Sequence, residues 1–272
     1  MTAKGPLGRL SRRVLRDLED AGALRAEPRS ATAFLSSALD LRASVDVSRA
    51  LGAQVPAAAP FARRADAIGL RERMRARIVT IGKGVSETRV AGLPGVPHFS
   101  SLSVLATLRA ADALAPEERL DRGPLRATRM LWSPVAAAVA RRAARAQAEL
   151  DAVFTEEAPG LASLGGRPAY AIALDALIDR VTEGAIAPLL DRPAELLTRR
   201  FTRILTRELS ALPAEPTDRD LAGWVGQGGW IDTHLSRAES YLRGVVEHRV
   251  RRALALVDAC CAVAPPGEPA QP

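Results

Sequence analysis

An all-α fold is what this sequence predicts, and three observations predict it. Alanine and leucine dominate the 272 residues, and aromatics are only 4% of them, a composition that suits helices better than sheets. Runs of alternating Val, Ile, Thr or Tyr, the mark of a half-buried strand, are missing. Apolar residues instead recur at three- and four-residue steps in one segment after another. The architecture expected is a helical bundle with a long C-terminal helix and helical-hairpin packing.

Taken in order, the first helix runs over 6–21, where Leu7, Leu10, Val14 and Leu18 share one face. A second follows Pro28 through Phe34, Leu35, Leu39 and Leu41, with Ser30 as N-cap. A third, short one covers 44–51. The Pro-rich GAQVPAAAP (52–60) is a linker. Helical spacing returns over 61–80 around Ile68, Met74 and Ile78, and a loop is expected from Gly82 to Pro97. Residues 100–114 suit a helix capped by Ser100 or Ser101, and APEERLDRGP is a turn. Ser133–Pro134 starts a helix to about Glu157, cap plus first-turn proline, with Val135, Val139, Ala143, Ala146, Leu150, Val153 and Phe154 as its stripe. PGLASLGGRP is a loop. The next helix covers 168–187, with Tyr170, Leu174, Leu177, Ile178 and Val181 on one side. Pro188 and Pro193 are expected to kink or divide the segment after it, each lacking the amide that a helix interior uses. PAELLTRRFTRILTREL (193–209) is the next helix, ending near Leu212, and GWVGQGGW leads into a last helix from about Trp230 to Val263. The regions expected are thus 1–51, small and helical; 52–132, a linker and basic middle part; 133–264, the C-terminal bundle; and 265–272, a disordered tail.

The formal charge is +7, and 36 of the 38 basic residues are arginine. GC-rich codons explain arginine over lysine, but they do not explain the excess over acids. Residues 63–149 hold 16 Lys+Arg against 8 Asp+Glu, so the whole excess lies there and the rest of the chain is at −1. A local basic excess points to an anionic partner, DNA among them, and its candidate contacts are Arg71, Arg73, Arg75 and Arg77 around one helix and Arg141, Arg142 and Arg145 on one side of another. A solvated helix face is the competing reading. No helix-turn-helix, zinc finger or RNA-recognition motif is evident, so sequence-specific readout is not expected.

Cys260 and Cys261 are the only cysteines. Adjacent cysteines build no disulfide framework, so both are expected reduced on a helix flank, in the cytoplasm. No signal-peptide core or membrane-spanning run is visible. His98, His234 and His248 match no zinc spacing and read as surface or boundary residues. There is no GxSxG elbow, TIGKGV (80–85) lacks the phosphate-loop spacing, and GQGG (226–229) reads as a turn. The expectation is a protein without catalytic residues, metal or cofactor.

Three stretches resemble a bacterial all-helical family of unknown function that includes the F-type accessory subunit of type III Zorya anti-phage systems. They are EPRSATAFLSSALDLRASVDVSRAL (27–51), ALDALIDRVTEGAIAPLLDRPAELLTRRFTRIL (173–205) and the segment from Trp230 into the final helix. The resemblance rests on Leu174, Asp175, Leu189, Leu190, Pro193, Leu196, Leu197, Arg199, Arg200, Phe201 and Trp230, covers under half of the chain and leaves 61–130 unmatched. It implies a non-enzymatic accessory protein, an adaptor or sensor, whose partner is a motor-like envelope complex or its cytoplasmic tail.

Overall fold

The structure, a computed structural model, describes Pro56 and residues 63–263, with the backbone alone over 180–193. The helices expected over 6–21, after Pro28 and over 44–51, most of the 52–60 linker, the 265–272 tail and the 27–51 segment of the resemblance lie outside the described residues. The chain forms two compact units, 1–54 with 177–185 and 55–176 with 186–272.

The fold is all-α, and among the described residues no β-strand forms. The helices are α1 (Arg64–Ser86), α2 (Ser101–Ala110), α3 (Gly123–Leu131), α4 (Ser133–Glu156), α5 (Ala158–Ser163), α6 (Gly166–Ser210), α7 (Ala222–Val225) and α8 (Trp230–Cys260), with a 3-10 turn at Val90–Gly92. In the second unit α8 packs along both α1 and α4, which also pack on each other, while α2, α3 and α7 close over the other end. One cluster of buried residues joins α2, α3, the start of α4, the end of α6 and the first half of α8. Another joins α1, the end of α4, α5 and the last turns of α8.

Several elements obey their sequence signals. Ser100 caps α2, its hydroxyl accepting from the Ser103 amide while Ser103 accepts from the Ser100 amide, a reciprocal capping box. The stripe of α4 is buried at Val135, Val139, Ala146, Leu150 and Val153. That of α8 is buried from Ile231 to Cys260, with Val250 half-buried. Others depart from expectation. Ile68 is exposed, and Ala67 and Leu70 join Met74 and Ile78 on the buried side of α1. The helix also runs through Gly82 and Gly84 to Ser86, so TIGKGV is helical and the loop expected from Gly82 starts later. Gly82 has a packing reason, since a Cβ there would lie 3.2 Å from a Val250 methyl of α8. Trp132, not Ser133, occupies the cap position of α4, and it does so with helical backbone angles, so α3 passes almost directly into α4. The loop expected at PGLASLGGRP is short, because α5 takes up its first half.

The largest correction concerns the prolines. Helix α6 continues through Pro188 and Pro193 as one element of 45 residues. A proline removes a single amide from the ladder, which the turns on either side can span.

Candidate interaction surface

Helix α3 separates two chemically different faces. At about 100° per residue, Gly123, Pro124, Ala127, Thr128 and Leu131 fall on one half of it, and all five are buried. Arg122, Leu125, Arg126, Arg129 and Met130 fall on the other. Leu125 is 54% exposed and Met130 45%. Leu120, in the turn before α3, is 71% exposed, and Leu102, on the neighbouring α2, is 69% exposed. Four of the eight large apolar side chains that the described residues expose therefore lie between 102 and 130. The arginines between Leu125 and Met130 differ in their ties. Arg126 is anchored, donating from Nε to the Ala111 carbonyl at 2.9 Å and lying 3.3 Å from Glu118 and 3.7 Å from Asp112. The guanidiniums of Arg122 and Arg129 have no hydrogen-bond or ion-pair partner among the described residues.

The buried half of α3, with Trp132 just after it, ties this surface to α6. Thr128 donates to Thr202 of α6 at 3.1 Å, and the Trp132 indole donates to Thr198 at 3.0 Å. Thr198, Thr202 and Thr206 each return a hydrogen bond to the carbonyl four residues earlier, so they form one polar seam along α6. Trp132 stacks on Phe201 with ring centroids 5.1 Å apart and meets the edge of His234 at 4.5 Å. Phe201 also touches Trp230, which in turn meets Trp224. All three tryptophans of the chain thus converge on one cluster.

His234 lies inside that cluster, fully buried, which corrects its reading as a surface or boundary residue. Its Nε2 is 2.9 Å from the Leu197 carbonyl. Burial pushes its pKa down to about 4, the Leu197 bond works against that shift, and the nearby charges of Arg237 and Arg200 add to it. The ring is therefore neutral near pH 7, with Nε2–H as the donor and Nδ1 buried without a partner. His98 and His248 are not buried in this way.

The seven arginines proposed as nucleic-acid contacts are all engaged within the chain. Arg71 and Arg75 share Asp258 of α8 at 2.8 and 2.7 Å. Partial burial opposes the charge of that carboxylate, but the hydrogen bonds from the two guanidiniums prevail and hold its pKa below the usual range. Arg73 pairs with Glu157 and Arg77 with Glu156. Arg145 and Arg142 both face Glu149, at 2.9 and 3.9 Å, and Arg141 donates to the Pro94 carbonyl. The spacing that suggested a basic face thus places most of these side chains over the seams between α1, α4 and α8.

The positions that carry the resemblance are structural where side chains are described. Asp175 receives two hydrogen bonds from Arg252 of α8, 2.9 Å from Nε and 2.8 Å from a terminal nitrogen. Leu174, Leu196, Leu197 and Arg200 are half-buried, Phe201 is buried, and Trp230 sits in the aromatic cluster. Arg199 lies 3.7 Å from Glu195, one turn earlier, as their spacing predicts. Leu189, Leu190 and Pro193 lie on α6 where only the backbone is described. Trp132, Thr128 and the outer face of α3 escaped sequence reasoning. The i, i+4 spacing of Leu125 and Arg129 after the helix-starting Pro124 was the available signal.

Among the described residues no group of three or more His, Cys, Asp or Glu could hold a metal ion, and no helix is long and apolar enough to cross a membrane. No protein-family model, curated protein or solved structure matches the chain.

Proposed function

We propose that the chain is a non-enzymatic helical accessory protein, an adaptor or sensor in the cytoplasm that works by docking a protein partner in a proton-motor-linked anti-phage defence system. One observation carries the docking part: exposed apolar side chains concentrate on α2, α3 and the turn between them, above a polar and aromatic seam. Leu102, Leu120, Leu125 and Met130 leave apolar area in water that a partner would cover. The motor-linked part rests on the family resemblance. Co-expression with the envelope proteins of such a system, followed by affinity capture of this chain, tests the reading. Retention of the envelope complex through washing is the expected result. Recovery of the chain alone, with the complex intact in the same extract, would refute it.

Nucleic-acid binding through 61–149, without sequence-specific readout, is the second reading. The unpaired Lys83, Arg109, Arg122 and Arg129 favour it, and the internal engagement of the seven arginines above weighs against it.

A further inference from the structure

The exposed arc of α3 carries more information than exposure alone. Arg122 and Arg129 stand seven residues apart, about 10 Å along the helix axis at ~1.5 Å per residue. They point to the same side, with the anchored Arg126 between them and Leu125 and Met130 at the two edges of the arc. No carboxylate belongs to the arc, and the acids that bind Arg126 come from the turn before it, leaving two guanidiniums without a counter-charge among the described residues.

We infer that this arc is the docking site for an acidic amphipathic helix of a protein partner, whose carboxylates meet Arg122 and Arg129 while its apolar stripe covers Leu125 and Met130. The inference rests on the docking reading above and names the chemistry of the partner. Arginine recognises carboxylates as a planar, two-toothed donor, and residues seven apart on a partner helix match the 10 Å spacing. A second copy of the chain is a poor occupant, because an isologous contact would set the same arginines against each other. A phosphate backbone is poor as well, because it has nothing apolar to offer Leu125 and Met130.

The test uses the full chain and three fluorescent probes: an 18-residue Leu/Glu amphipathic peptide, its Leu/Lys counterpart and a mixed-sequence DNA duplex. Fluorescence anisotropy should show binding of the acidic peptide and not of the basic one. The double substitution Arg122→Glu, Arg129→Glu should weaken that binding at least about tenfold, as should Leu125→Asp, with helix content and thermal midpoint unchanged. Equal binding of both peptides, lost in Leu125→Asp, would overturn the acidic partner but leave the docking reading standing. Binding of the duplex alone would overturn the acidic-helix inference and favour the nucleic-acid reading. If no probe binds, the acidic-helix inference falls, and the co-purification above still decides the docking reading by itself.

Discussion

The imidazole of His234 is enclosed by Trp132, Phe201 and the Leu197 carbonyl, and an enclosed imidazole resists protonation. In the unfolded chain the same ring titrates at 6.5, and in the folded chain at about 4. Between these values the unfolded state binds the extra proton, so stability is full above pH 6.5 and declines as pH falls toward 4. The loss from this one group amounts to roughly 3 kcal/mol across that window. Urea denaturation at a series of pH values should show it, and His234→Leu should remove this part of the slope. A difference between the two proteins that stays constant from pH 7 to pH 4.5 would contradict the assignment. The stripe of Ile231, Leu235 and Ala238 places His234 on the buried face of α8. Its depth was not legible locally, because the partners that enclose it come from 132 and 201.

Elements were legible where their signals are local. The Ser100 box set the start of α2, and the three-and-four stripes set the buried faces of α4 and α8. Signals that depend on a neighbour misled. The glycines at 82 and 84 read as a loop, yet Gly82 serves the close passage of α1 over Val250. Helix α3 shows the same dependence at its first residue. A Cβ on Gly123 would lie 2.6 Å from the Glu118 carbonyl oxygen and 2.8 Å from the Ala113 Cα, both fixed backbone. Gly123→Ala should therefore displace the start of α3 and cost about 1–3 kcal/mol. Thermal denaturation would record the loss, and a midpoint unchanged from the parent would contradict this packing. The substituted protein should also bind the acidic peptide more weakly, because Arg122 stands at the displaced end.

For the molecule as a whole, the all-α class was legible because composition and periodicity agree over most of the chain. The arrangement of helices was not, because it depends on contacts far apart in sequence. Arg71 and Asp258 are 187 residues apart, and Arg252 reaches back 77 residues to Asp175. Both cysteines are buried at the C-terminal end of α8. Burial, with Cys261 and Asp175 nearby, pushes the Cys260 thiol up to about 12, and burial raises Cys261 as well. Thiolate is the reactive form. Ellman's reagent should therefore detect almost no thiol in the native protein and two per chain in urea. Fast native reaction of either cysteine would show that the end of α8 opens readily.

The pairing of α1 with α8 has a consequence during synthesis. Ala67, Leu70, Met74 and Ile78 leave the ribosome well before Ala253 and Val257, which pack in the same cluster. At about 5–20 residues per second, the 187 residues from Arg71 to Asp258 take roughly 10–40 s to translate. Once α4 has emerged it can shield one flank of α1, while the other flank stays a bare apolar stripe on a nascent chain, open to a chaperone or to a neighbouring polysome product until α8 arrives.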